Sequence, residues 1–167
     1  MLQQKRMDAL WRLASDYGLD DRTLVHAALG LGAALLVPGH AFGARFGRVL
    51  GERISIDASN DERLPDDRAI REGVVSVDDR HAAAIGKQMT ARWNDAAGAQ
   101  LITPFNAGNA LYVLSFWSPQ PAPRAFTSDD DGFAESIATL IGSRIQHKWD
   151  AVARDPLEVV SLGGVAG

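Results

Sequence analysis

The sequence predicts an α/β (α+β) domain: a central antiparallel sheet of five to six strands with helices at both ends of the chain. Three observations predict it. Apolar residues recur every three or four positions near the N-terminus and again beyond residue 127, and between these segments the period falls to two. Two tight-turn signatures, Gly51-Glu52 and Asn106-Ala107-Gly108-Asn109, each divide a pair of strand-like runs. A length of 167 residues suits one domain with a real core.

The elements follow in order. Met7, Leu10, Trp11, Ala14 and Tyr17 space a first helix that stops at Gly18. Asp20 or Asp21 caps a second helix with the stripe Leu24, Ala28, Leu31 and Leu35, ended by Pro38-Gly39. Its two internal glycines cost roughly 1 kcal/mol each against alanine, which argues for close packing there. Ala41 to Leu50 and Arg53 to Ala58 read as two strands. In the second, Ile54, Ile56 and Ala58 share one face and Arg53, Ser55 and Asp57 the other. Gly39, Gly43, Gly47 and Gly51 recur every fourth residue, which predicts a bulged or kinked edge strand.

Asn60 to Arg71 reads as a charged loop with room for one short helix, Gly73 to Val77 as a third strand, and Asp79 to Asn94 as a weakly patterned helical stretch. Gln100 to Phe105 and Ala110 to Trp117 are strands, and the prolines of 118–123 end the sheet. Thr127 or Ser128 caps a long last helix. Asp129, Asp130 and Asp131 stand in its first turn, where the macrodipole favours acids. Phe133, Ile137, Leu140, Ile141, Ile145 and Trp149 line one side of it. Residues 1–150 thus form one domain, and 151–167 are expected to be a flexible tail.

Composition bounds the chemistry. The chain is 46% hydrophobic and 23% charged, with a net charge of −4, as in an ordinary globular protein. It has no cysteine, which removes thiol nucleophiles, disulfides and cysteine metal sites. A pI near 5.5 argues against nucleic acid as a partner. The longest apolar run, Leu29 to Pro38, is about half a bilayer span, and no secretory signal follows the opening charges. A cytoplasmic protein without membrane insertion is the expectation.

The C-terminal half carries a resemblance. Leu101-Ile102-Thr103-Pro104-Phe105, a turn, Leu111-Tyr112-Val113-Leu114-Ser115-Phe116, a proline-rich loop, then Phe126-Thr127-Ser128-Asp129-Asp130 and a long helix resemble the ending of a GAF domain. Upstream, Ala9 to Ala14 and Phe46 to Arg53 are similar to the version found beside diguanylate cyclase and histidine kinase modules. The tail Ala153-Arg154-Asp155-Pro156-Leu157 looks like the residues that introduce a cyclase domain. One departure is Tyr112-Val113, where that family usually has a glycine.

The resemblance implies a GAF/PAS-like layering, with terminal helices on one face of the sheet and loops and short helices, from about Asp61 to Asn94, on the other. It implies a regulatory domain that binds a small molecule of unknown identity between sheet and cover. It also implies a homodimer through the terminal helices and an output signalling protein as partners. Candidate ligand-binding residues are Ser76, Asp78, Arg80, His81, Trp93, Thr103, Phe105 and Phe116.

Each candidate has a plainer reading beside it. Arg80 and His81 can hold an anionic or hydrogen-bonding ligand with Asp78 orienting one of them, or the segment is a solvated turn after a strand, helix-capped by an aspartate. Trp93, Phe105, Phe116 and Trp117 can line an aromatic cavity or be ordinary core. The histidines, His26, His40, His81 and His147, show no metal-ligand spacing, so no metal is expected, and the sequence leaves any cofactor unknown. Trp11 and Trp149 can meet within one chain or across a dimer.

Catalysis is weighed last. The enzymatic branch of the fold that reduces free methionine sulfoxide needs thiols, and covalent bilin attachment needs a cysteine too. Ser76, His81 and Asp78 form the one local hydrolase-like trio, without a nucleophile elbow. The expectation is a sensory domain that is not an enzyme. A dimerisation scaffold with a self-filled pocket is the alternative, and a small hydrolase the third reading.

Overall fold

The computed structural model describes residues 1–60 and 73–154, with side chains described through residue 145. Helix α1 (Leu2–Ala14) and helix α2 (Asp21–Leu35) open the chain. Asp20 caps α2, its carboxylate accepting from the Thr23 N–H at 2.7 Å. The buried stripe of α2 is Leu24, Val25, Ala28, Leu29 and Gly32. Leu31 and Leu35, expected within that stripe, are only partly buried.

Helix α1 departs from the expected face. Met7, Trp11 and Tyr17 are exposed, Trp11 at 72%, and beside the expected Leu10 the helix buries Arg6. Arg6 dictates this rotation. Its guanidinium donates to Leu35 O at 3.0 Å, to Leu36 O at 2.7 Å and to Asp130 Oδ1 at 2.7 Å. A buried charge so fully paired outranks a loosely apolar stripe.

The sheet comprises β1 (Gly43–Leu50), β2 (Arg53–Ser59), β3 (Val74–Ser76), β4 (Ala91–Asp95), β5 (Gly98–Ala107) and β6 (Ala110–Ser118). Their order is β3-β2-β1-β6-β5-β4, antiparallel throughout. Gly51, at φ 63°, turns β1 into β2. A bulge lies in this pair, because Phe46 faces Ala58 while Gly47 faces Ile56, which leaves Asp57 as the extra residue. The strands there are interior, so the expected edge strand is corrected to a bulged central one. The extra residue also splits the expected face: Ile54 and Ile56 join one core, and Ala58 joins the other.

Strand β4 is the element that sequence periodicity missed. Helix α3 (Asp79–Lys87) ends at Gln88, which adopts a left-handed φ of 55°. The chain then runs as β4 beside β5, where a continued helix was expected. Asn94 fastens this strand to the proline-rich loop, accepting from Ala122 N–H at 2.8 Å and donating to Arg124 O at 2.8 Å. Those partners lie about thirty residues away, beyond any local pattern.

Helix α4 (Ser128–Arg154) and α2 cover one face of the sheet, and α1 packs against both. Phe46, Leu101, Leu114, Phe116, Phe133, Ile137 and Ile141 fill this layer. The opposite face carries α3 and a smaller core of Ile54, Ala84, Ile102 and Val113. The expected loop over 60–71 and most of the expected tail fall outside the described residues. Among the described residues no helix is long and apolar enough to cross a membrane.

Candidate functional site

The α3 face of the sheet gathers the polar chemistry. Asp78 leaves β3 in extended conformation and caps α3, its Oδ1 accepting from the His81 N–H at 2.8 Å. Capping turns the third residue of the helix inward, and His81 is 8% exposed. The ring joins two partners. Its Nδ1 lies 2.8 Å from Asp78 Oδ1 and its Nε2 3.2 Å from Ser115 Oγ.

A carboxylate can only accept, so a ring proton sits on Nδ1, and in that tautomer the Nε2 accepts from the Ser115 hydroxyl. Burial pushes the Asp78 carboxyl up. The hydrogen bonds from the His81 backbone and ring and from the Arg80 backbone outweigh it and hold the group below its ordinary value.

Ser115 is 2% exposed on β6, facing Ile102 of β5 and Arg45 of β1. Two residues on, and so on the same face, Trp117 keeps its indole Nε1 buried without a hydrogen-bond partner. The Arg45 guanidinium lies 4.9 Å from the Trp117 ring centroid. Arg80 donates to Asp95 Oδ2 at 2.9 Å, reaches Gln100 Oε1 at 3.4 Å and covers Trp93 at 5.4 Å. Gln100 pairs with both Trp93 and Trp117, so these groups line neighbouring rows of one surface.

The expected residues therefore divide. Asp78, Arg80, His81 and Trp93 come together on the α3 face. Thr103, Phe105 and Phe116 alternate onto the helix-bearing face: Thr103 Oγ1 lies 3.0 Å from Thr90 Oγ1, Phe105 stacks on Phe46 and Tyr112, and Phe116 sits against Gly32 of α2. An aromatic cavity formed by Trp93, Phe105, Phe116 and Trp117 together is ruled out, because the sheet separates the two tryptophans from the two phenylalanines.

Ser76 is exposed on edge strand β3, and Val75 beside it takes the inward side. The serine that His81 meets is Ser115, not Ser76. Sequence reasoning missed Ser115 and the unpaired indole. The available signal was a lone hydroxyl inside a strand apolar on both sides.

No family model matches the sequence, and no curated protein is detectably similar to it. Solved structures do match. A Burkholderia vietnamiensis protein assigned as a GAF sensor superimposes with a TM-score of 0.67 at 16% identity, over 90% of this chain and 94% of that one. The free methionine-R-sulfoxide reductase of Neisseria meningitidis, solved with its substrate, gives 0.67 at 15% identity, over 90% and 93%. The phycocyanobilin-bound GAF domain of a cyanobacterial phytochrome gives 0.62 at 13% identity, over 85% and 94%.

These neighbours overturn the expectation that the chain is not an enzyme. Reductases from Neisseria meningitidis, Staphylococcus aureus and Thermoplasma acidophilum are enzymes built on this architecture. Missing thiols exclude one chemistry and leave catalysis by other groups open. The shared backbone path, with helices packed on a six-stranded antiparallel sheet, establishes that this chain has a GAF-like fold.

Proposed function

We propose that the chain is a regulatory domain that binds a small molecule bearing a carbonyl or carboxylate group on the α3 face of the sheet. One observation carries the reading: the buried, unpaired indole N–H of Trp117. Such a donor costs roughly 1–3 kcal/mol, which an acceptor on a ligand recovers. The Arg45 guanidinium lies over the Trp117 ring, Gln100 pairs opposite that residue on β5, and His81 meets Ser115 two residues along the same strand. That GAF domains and a bilin-binding phytochrome domain share the fold supports a sensory role.

The test is thermal denaturation of the purified chain with cyclic nucleotides, amino acids, tetrapyrroles and small carboxylic acids at millimolar concentration. At least one class raises Tm by several degrees, the shift expected when ligand is present at about a hundred times its Kd. Trp117→Phe, which keeps the aromatic volume and removes the donor, abolishes that shift. A panel without any shift counts against the reading.

The scaffold reading keeps one observation of its own, since Met7 and Trp11 stand exposed one turn apart on α1. If two copies pair through this face, sedimentation shows a dimer that Trp11→Glu dissociates. A monomer at all concentrations counts against it.

A further inference from the structure

The Asp78–His81–Ser115 chain does more than satisfy a buried imidazole. We infer that Ser115 is an activated nucleophile for acyl transfer, with His81 as its base and Asp78 positioning His81. This rests on the proposal that the α3 face takes a small carbonyl ligand.

The geometry supplies both hydrogen bonds of such a relay. The hydroxyl lies 3.2 Å from the imidazole Nε2, and the carboxylate 2.8 Å from Nδ1. The tautomer that Asp78 enforces leaves the basic nitrogen facing the serine. Ser115 and His81 lie at the buried end of the relay and Asp78 at its exposed end, so the reacting oxygen faces the interior of the covered sheet face. The unpaired Trp117 N–H stands two residues along the same strand, roughly 7 Å away by strand rise. Among the described residues it is an unpartnered buried donor on this face, suited to an oxygen that gains negative charge.

In the reaction, Ser115 Oγ adds to the carbonyl carbon of an ester and its proton passes to His81 Nε2. The ester C–O bond breaks and the leaving alkoxide takes that proton. Water then attacks the acyl-serine with His81 again as base, releasing a carboxylic acid and restoring the hydroxyl. Nothing is oxidised or reduced.

The test uses an alkyl fluorophosphonate, which forms an O–P bond to an activated serine while fluoride departs. Intact-mass spectrometry of the full chain shows one adduct, and peptide mapping puts it on Ser115. Ser115→Ala removes the adduct. His81→Ala lowers the labelling rate at least roughly a hundredfold, and added imidazole restores part of it.

Asp78→Asn separates positioning from structure. Asparagine caps a helix as well as aspartate does, so Tm holds while the labelling rate falls about tenfold or more. Absence of an adduct on chain with native near-UV circular dichroism overturns the inference. So does an adduct on another residue, or a Ser115→Ala chain that labels at the wild-type rate. A Trp117-dependent ligand shift without labelling leaves the sensory reading standing and removes the nucleophile. Labelling of Ser115 in a chain that shows no such shift supports the nucleophile alone.

Discussion

The Asp130 carboxylate, 1% exposed, accepts from Arg6 at 2.7 Å and from Arg124 at 2.7 and 2.9 Å. Its Oδ2 also receives the Thr127 N–H at 2.8 Å, which caps α4. Both arginines reach the Leu36 carbonyl as well, so this single acid ties α1, the end of α2 and the start of α4 together. From sequence alone, Asp130 looks like one of three interchangeable acids in a first turn. Burial pushes its carboxyl up, but the Arg124, Arg6 and Thr127 hydrogen bonds outweigh it and bring it to about 2.

The sign follows from that depression against about 3.9 in the unfolded chain. The stabilisation is present above pH ~4 and is lost as pH falls toward 2, on the order of 2 kcal/mol in all. At neutral pH Asp130→Asn leaves Arg6 buried without its counter-charge and costs about 3–5 kcal/mol. Arg124→Gln removes a more exposed partner and costs less, about 1 kcal/mol. Urea midpoints between pH 7 and pH 2 check both: the wild type loses stability more steeply below pH 4 than Asp130→Asn does. Parallel acid limbs would mean that Asp130 contributes little.

At the scale of elements, the two glycines of α2 make opposite predictions. A Cβ on Gly32 would stand 2.5 Å from the Phe116 ring and 2.8 Å from Ile137 Cδ1, whereas one on Gly30 would meet nothing within 4 Å. Gly32→Ala therefore forces Phe116 and α4 away from α2 and costs about 1–3 kcal/mol, less the small gain in helix propensity. Gly30→Ala keeps only that gain and stabilises by roughly 0.5–1 kcal/mol. Thermal melts of the two variants should move in opposite directions.

The contrast also shows what the sequence could and could not tell. A close-packing role was legible for glycine in α2, but which glycine depended on Phe116, eighty-four positions away in the chain. Aspartate capping was legible to within a residue, at Asp20 or Asp21 and in the Asp78-Asp79 pair, because that chemistry spans three residues. The hairpin of β5 and β6 was legible from its turn and alternation. The rotation of α1, the identity of β4 and the second face of β2 were not. They are set by Arg6 meeting Asp130, by Asn94 meeting the loop at 122–124, and by one extra residue at Asp57. The site divides for the same reason. His81 and Asp78 are three apart and could be paired on paper, whereas Ser115 reaches His81 only through sheet register.

Taken as one molecule, the fold is asymmetric about its sheet. The helix-bearing face has a continuous core running from α2 through β1, β5 and β6 to α4. Among the described residues, the fully buried apolar side chains of the α3 face are Ile54, Ala84, Ile102 and Val113, and this face ends at a three-residue edge strand. Apolar burial supplies most of the free energy that resists local opening, so α3 and β3 should open well below the global unfolding free energy. Under the proposed function, a layer that opens cheaply is also the layer through which a ligand would reach His81 and Trp117.

Two neighbouring residues of β5 separate these faces. Leu101 and Ile102 are both fully buried, Leu101 against the terminal helices and Ile102 beneath α3. Truncating either to alanine costs about 2–5 kcal/mol by transfer and cavity formation. Hydrogen exchange read by mass spectrometry should nevertheless tell them apart. Ile102→Ala speeds exchange in α3 and β3 first, and Leu101→Ala speeds it across the whole chain. If α3 in the wild type instead exchanges as slowly as β5 and β6, the two layers unfold as one unit and ligand entry through an opening α3 layer is excluded.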